Sequence, residues 1–343
     1  MGMLRLEGVD KVYRVGTFGG QTLHAVKDVS FKAVPGQIIS LIGESGSGKS
    51  TIGRMILRLT SVSGGRILYD GQDVSALDRG ALKEYRRKVQ GVFQDPFSSY
   101  NPIFKADRVF GLVREAFFPD VRGAAWDERV QDALRAVSLD PDGVLGKYPH
   151  QLSGGQLQRM LVARALLLDI EFLVADEIIS MLDASTRVDV LNLLGDLRAR
   201  GLGVLFVTHD LSLGNYISDQ AVILRRGRIV ERGPTVEVFE RPAHPYTQML
   251  LASVPALHER RDGGERRAGG ERRAGGEHWR DESAAREKGT CIYHEHYPAG
   301  DATAPASAAN PTMVEVSPGH LVTCASVDEA GGCLQGASRA SAA

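Results

Sequence analysis

The chain has 343 residues, enough for two domains or for one large domain with appendages. Its 41 Lys and Arg nearly balance 42 Asp and Glu, so no global basic field calls for a nucleic-acid partner. A hydrophobic fraction of 43% is ordinary for a protein that buries a core. The most apolar stretch, residues 160–182, is broken by Arg164, Asp169, Glu171, Asp176 and Glu177, and no transmembrane helix is predicted. The first residues, MGMLRLEGVDK, are charged by Arg5 and carry no secretory signal, and Leu6 stands where a myristoylation site needs Ser or Thr. All three cysteines, Cys291, Cys324 and Cys333, fall after residue 290, so a reducing compartment without a disulfide framework is expected.

From residue 3 to about 257, short apolar runs alternate with helical patterns. Strands are predicted at 38–42, 66–70, 89–93, 171–175, 203–207 and 221–226, several buried on both faces. Helices are predicted at 48–59, 78–88, 126–138, 155–168, 184–200 and 211–217. This alternation indicates an α/β fold with a mostly parallel sheet. Asp70-Gly71 signals a hairpin, hence a small antiparallel β subdomain. Residues 101–168 contain no convincing strand and read as a helical subdomain inserted between two sheet strands. After residue 257 the composition changes. Residues 258–288 repeat GGERRA, with nothing apolar to bury, and read as a charged low-complexity linker. Residues 289–343 form a largely irregular tail with at most a small ordered patch around GHLVTCA.

The strongest motif is Gly43, Glu44, Ser45, Gly46, Ser47, Gly48, Lys49 and Ser50, followed by Thr51, placed between a predicted strand and a predicted helix. Such a loop wraps phosphates with backbone N–H groups at a helix N-terminus. Lys49 is placed to reach the β- and γ-phosphates, and the Ser50 hydroxyl to ligate Mg²⁺. Asp176 and Glu177 end the apolar run FLVA. Alone, such a pair is a surface corner; beside a phosphate loop, Asp176 fits the Mg²⁺ shell and Glu177 fits a general base acting on water. Gln94 and His209 follow two further strands, at the carboxyl edge where α/β folds bind ligands. There Gln94 has Mg²⁺ or water within its reach, and His209 the γ-phosphate. Leu152 to Gln156, LSGGQ, opens a second helix with Ser153 as its cap and with Gly154 and Gly155 exposing donors. One nucleotide needs one cradle, so two cradles in one chain point to a head-to-tail dimer.

These motifs, in this order, resemble the nucleotide-binding subunit of an ABC transporter over about residues 3–257. The resemblance implies ATP and Mg²⁺ as ligands, Gly43 to Thr51 on the phosphates, and Ser50, Gln94 and Asp176 around the metal. It implies Glu177 as catalytic carboxylate, His209 as switch histidine, and Gln94 as the link to the membrane partner. Ser153, Gly154, Gly155 and Gln156 would close over the partner's ATP. Asp183 would lie at the dimer interface and Tyr13 would stack on adenine. The stretches GESGSGKST, FQDPFSSYNP, YPHQLSGGQLQR and HPYTQMLLASVP are similar to ATPases of the oligopeptide/dipeptide import group, some members of which serve oligosaccharide or metal uptake. Implied partners are integral-membrane permease subunits, a second ATPase subunit and, through the complex, a solute-binding protein. The implied location is the cytoplasmic face of the membrane.

Two departures stand out. Relatives carry four cysteines in the tail that look like an iron–sulfur site. Here Cys291 and Cys324 align with the outer two, while Tyr297 and Ala304 take the inner places. Two thiolates cannot hold a Cys₄ cluster, and Cys333 does not restore the count. A zinc site using His294, His296 and His320 competes with a decayed tail, which is preferred. Second, Ile178 replaces the proline that usually follows the glutamate, removing an expected bias of Glu177 towards extended backbone that a packed site can still impose. A soluble ABC-type ATPase of translation or DNA repair is the alternative reading, disfavoured by the single cassette and the lack of heptads. A weakly active regulatory ATPase is the third.

Overall fold

The structure, a computed structural model, describes residues 2–15, 20–121, 123–182, 184–253 and 312–324. Asp183, Cys291, His294, His296, Tyr297, Ala304, Cys333 and the 258–288 linker lie outside the described residues. The chain divides into two units, Met1–His209 with Arg226–Arg228, and Asp210–Arg225 with Ile229–Ala343.

The first unit opens with two long strands, β1 (Leu4–Val15) and β2 (Gln21–Ala33), followed by β3 (Ile38–Ile42) and helix α1 (Lys49–Ile56). Next come β4 (Gly64–Tyr69), β5 (Gln72–Asp73), α2 (Arg79–Lys88) and β6 (Val89–Val92). The segment 101–168 then supplies α3 (Arg108–Phe117), α4 (Ala124–Ala136), α5 (Pro141–Val144) and α6 (Gly154–Leu166), with no strand among its described residues. Strand β7 (Phe172–Asp176), helix α7 (Ala184–Ala199) and strand β8 (Gly203–Thr208) complete it.

β3, β7 and β8 read IISLI, FLVAD and GVLFVT, and every residue in them is buried. Strands buried on both faces belong inside a parallel sheet. They pair in parallel in the order β3-β8-β7-β6. Each fully buried Ile, Val or Leu adds roughly 1.5–3 kcal/mol, so these strands are the unit's anchor. Helix α1 buries Ile52, Met55 and Ile56, and a Cβ on Gly53 would lie 3.0 Å from Val174.

The antiparallel sheet runs β2-β1-β4-β5. Its last hairpin turns at Asp70 (φ 50) and Gly71 (φ 78), with Tyr69 paired to Gln72. Two positive φ values in a two-residue loop are the hairpin geometry that an Asp-Gly pair favours. β1 and β2 were not among the predicted strands. Their pairing shifts register between Leu6 and Val9, Val9 and Lys11, and Lys11 and Val12, so the period-2 pattern is interrupted along the sequence.

The second unit contains α8 (Leu211–Ile217), β9 (Gln220–Arg225), β10 (Arg228–Pro234), α9 (Thr235–Glu240), α10 (Pro245–Ala252), β11 (Thr312–Ser317) and β12 (His320–Cys324). Its strands follow the order β11-β12-β10-β9. The small ordered patch expected around GHLVTCA is present: the described tail residues form an antiparallel hairpin, with His320–Cys324 as its second strand. At its centre is Glu231, fully buried. Its carboxylate accepts from Ala243 N (2.8 Å) and His244 N (3.0 Å) and faces His320 Nε2 at 2.6 Å. His244 in turn caps α10 by accepting from Tyr246 N. His320 is 2% exposed and committed to Glu231, which accords with the preferred reading that it is not a zinc ligand. Removing His320 takes one of three donors from a fully buried carboxylate. His320→Ala is expected to weaken the docking of β12 on β10 by about 2 kcal/mol, seen as faster amide exchange across β12; unchanged exchange would show that this contact does not hold the hairpin.

Candidate functional site

The register of the parallel strands assembles the site. Ile42 lies opposite Thr208, and Asp176 opposite Val207, so β3, β8 and β7 end at one edge. Gly43, His209 and Glu177, the next residue of each strand, emerge there side by side. Strand β6, paired with β7, delivers Gln94 to the same edge, where it is exposed.

Lys49 begins α1 and is only 4% exposed. Its ammonium donates to Gly43 O (2.7 Å), Glu44 O (2.8 Å) and Ser47 Oγ (3.4 Å), which holds it inside the loop. Burial lowers its pKa, an effect opposed by Glu177, Asp176 and Glu44. Glu44, Ser45 and Gly46 face solvent, and a Cβ on Gly46 would meet nothing within 4 Å. Ser50 and Thr51 follow on α1, and Ser50 Oγ donates to Asp176 Oδ1 at 3.0 Å. Asp176, 6% exposed, has its pKa raised by burial and by the neighbouring Glu177 charge. The Ser50 hydrogen bond, Arg54 and Lys49 oppose that rise.

Glu177 has φ 51, in the left-handed region. For a non-glycine residue this costs roughly 1–2 kcal/mol and persists only where surroundings impose it. Here Glu177 N donates to Val207 O (3.0 Å), while Glu177 O accepts from Ser180 N (3.1 Å) and Ser180 Oγ (2.6 Å). Ile178 and Ile179 are 1% and 3% exposed, so both isoleucines anchor the loop in the core. Glu177 is therefore not extended, and packing of the two isoleucines, rather than a following proline, accompanies its backbone conformation. The Glu177 carboxylate lies 3.3 Å from His209 Nδ1, and the His209 ring is largely exposed.

The remaining predicted residues sit elsewhere in the unit. Ser153 caps α6 by accepting from Gln156 N (3.2 Å), while Gln156 Oε1 accepts from Ser153 N (2.9 Å), a reciprocal capping box. A Cβ on Gly155 would lie 2.5 Å from Thr186 Cγ2, whereas one on Gly154 would meet nothing within 4 Å. Gly155 thus allows close packing against α7, and Gly154 leaves the helix start open. No hydrogen bond among the described residues joins this helix start to Lys49, Asp176 or His209. Tyr13 lies on β1 with Lys11 Nζ 5.0 Å from its ring centre, and no described contact joins it to the phosphate loop.

Sequence reading missed three residues that tie α6 to the Gln94 segment. Gln158 Nε2 donates to Phe93 O (3.3 Å), Tyr100 Oη to Leu157 O (3.0 Å), and Arg164 to Gly91 O (3.1 Å). Only the buried polar character of Gln158 and Arg164 in an otherwise apolar helix face marks them in the sequence.

Residues 26–180 match the ABC transporter family, and residues 230–294 match the oligopeptide/dipeptide transporter C-terminal region. The glutathione import ATP-binding protein GsiA of Escherichia coli (strain K12) is 42% identical over 283 residues, covering 80% of this chain. The chain spans 44% of that relative's length. A Brucella ovis protein named as a peptide import ATP-binding protein is 37% identical over 327 residues, covering 94% of this chain and 97% of that protein. The dimeric post-hydrolysis structure of the ATP-binding cassette MJ0796, bound to ADP and Pi, superposes with a TM-score of 0.61 at 28% identity, covering 68% of this chain and 98% of that one. With its phosphate loop, LSGGQ helix and HPY segment accounted for, this chain belongs to the ABC transporter ATP-binding proteins, in the group that carries the oligopeptide/dipeptide transporter C-terminal region.

Proposed function

We propose that this chain binds and hydrolyses ATP to energise an importer of peptides or a peptide-like solute such as glutathione. The observation that carries this reading is the convergence of Lys49, Ser50, Asp176, Glu177 and His209 on the carboxyl edge of three adjacent parallel strands. Lys49 and the amides of Gly43 to Thr51 bind the phosphates. A phosphate is a stronger acceptor than the carbonyls of Gly43 and Glu44, so the buried ammonium exchanges neutral partners for a charged one.

Ser50 Oγ and Asp176 Oδ1, 3.0 Å apart, form the hard-oxygen pair that suits Mg²⁺, with Gln94 within the same edge. Mg²⁺, when bound, neutralises charge on the phosphate oxygens. Glu177 takes a proton from the attacking water, and His209 orients that carboxylate through its Nδ1 contact. The left-handed backbone of Glu177, fixed by Val207 and Ser180, positions the base in advance. Ser153, Gly154, Gly155 and Gln156 cover the nucleotide of a second ATPase subunit in a head-to-tail pair, with Asp183 at the join and Tyr13 against adenine. The exposed Phe97, Ile103 and Phe104, close to Gln94 in sequence, offer an apolar face to permease subunits, which also engage a solute-binding protein. No helix among the described residues is long and apolar enough to cross a membrane. In this reading the permease subunits form the membrane path and this chain sits at their cytoplasmic face.

Two outcomes test the assignment. Glu177→Gln is expected to lower ATP turnover about a hundredfold or more while ATP binding persists; wild-type turnover in that variant would sink the reading. Asp176 separates function from stability. Its folded pKa is raised, so its contribution to stability is complete below the unfolded pKa and is lost as pH rises through the folded value. At neutral pH the buried carboxylate therefore opposes folding. Asp176→Asn is expected to abolish turnover yet melt higher than wild type without nucleotide at pH 7, the gap closing in acid; a lower melting point at pH 7 would show that the charge is a net stabiliser.

A further inference from the structure

A phosphate loop must hold its amides outward before the phosphate arrives, and the structure shows what backs this one. Ser47 O accepts from Gly227 N at 3.0 Å, and Gly227 O accepts from Lys27 N at 2.8 Å. Gly227, in the turn between β9 and β10, thus clips the loop to strand β2. Arg226–Arg228 belongs to the first unit, with the phosphate loop.

The turn and the loop share a second neighbour. A Cβ on Gly48 would lie 2.6 Å from Ala25 O, and one on Gly227 would lie 2.7 Å from the same oxygen. Both glycines have positive φ, 102 and 86. Ala25 is the extra residue of a β-bulge: Lys11 pairs with Val26 and Val12 with His24, leaving it unpaired. Bulges re-aim the strand around them. This one sets the Ala25 carbonyl against both glycines, where no side chain fits.

The peptide geometry then has a directional consequence. The Ser47–Gly48 peptide is trans, so its C=O and N–H point in opposite directions. With the Ser47 carbonyl fixed on Gly227, the Gly48 N–H is held facing away from the turn. Gly48 is also the N-cap of α1, without a side-chain cap of its own. Its orientation therefore depends on what grips the carbonyl behind it.

The geometry points to the Arg226–Arg228 turn as a positioning element for nucleotide binding, acting through the Gly227 N–H on the Ser47 carbonyl to pre-aim the Gly48 amide at the phosphates. This rests on the nucleotide-binding reading above. Gly227 touches no reacting group; it acts through the loop. The turn is also distant in sequence from the motif it serves, and RRGR carries no phosphate signature of its own.

The test exchanges one backbone N–H for an oxygen. Glycolic acid in place of Gly227, introduced by nonsense suppression into the full chain, turns the Arg226–Gly227 peptide into an ester. It removes the N–H donor, adds no bulk and keeps the Gly227 carbonyl that Lys27 uses. Tyr69→Phe is the matched control, since it loses one side-chain hydrogen bond, to Glu171, outside the loop. The ester is expected to weaken ATP and ADP binding about fivefold, raising KM with kcat at saturation little changed, while its melting point without nucleotide matches that of Tyr69→Phe. Affinity equal to wild type, or reduced no more than in Tyr69→Phe, overturns the proposal alone. A wild-type chain that binds no ATP overturns the nucleotide-binding reading and this proposal with it.

Discussion

The parallel pairing of β3, β8 and β7 is the constraint on which the rest depends. Their residues are packed on both faces, so a slip of one position would give every side chain new neighbours and break a close-packed fit. That register ends three strands together, and the loops that follow carry a lysine, an acid pair and a histidine. No local motif could bring Lys49 and His209 to one edge; only the sheet does so. The apolar core thus spends its packing energy on placing polar groups that do not contribute to it.

Those groups are held against their own preferences. Lys49 is pushed towards neutrality by burial and Asp176 towards protonation, each partly restrained by the other's charge. Glu177 adopts a backbone conformation that most residues avoid. Such strain survives because the neighbouring structure over-determines it: two core isoleucines, a strand carbonyl and a serine fix the Glu177 loop. A site prepared in this way needs little rearrangement to meet a polyanion, whose charge and accompanying cation relieve both buried ions.

The sequence made legible what local chemistry writes locally. The five-residue strand 38–42 and the helix 211–217 occupy their predicted positions, because uninterrupted apolar runs and an Asp210 cap leave few alternatives. The Asp70-Gly71 hairpin was equally plain. The long strands β1 and β2 were not, since shifts of register break their alternation. The patch around GHLVTCA was legible as ordered, but not its partner, since Glu231 and His320 meet across 89 residues of sequence. Within the site, residue types and spacing pointed to Lys49, Asp176 and Glu177, whereas Gly227, Ala25, Gln158 and Arg164 are recognisable only once backbone atoms have coordinates. At Ile178 the sequence shows only that the proline bias is gone; the packing that holds Glu177 in its place, through two core isoleucines, Val207 and Ser180, is a tertiary feature.

The two most buried carboxylates show how one fold separates structure from function. Glu231 is fully buried and meets three donors, from Ala243, His244 and His320, all within its own unit. Satisfied on both oxygens, it has little left to offer a ligand and serves to join β10, the HPY segment and the tail. Asp176 is almost as buried but takes a single side-chain donor, from Ser50, among the described residues. Its second oxygen keeps its acceptor capacity, and burial makes the unpaired charge costly. A cation brought to that oxygen would remove the cost. Donor count, rather than burial, is therefore what separates Glu231 from Asp176, the acid proposed to hold Mg²⁺.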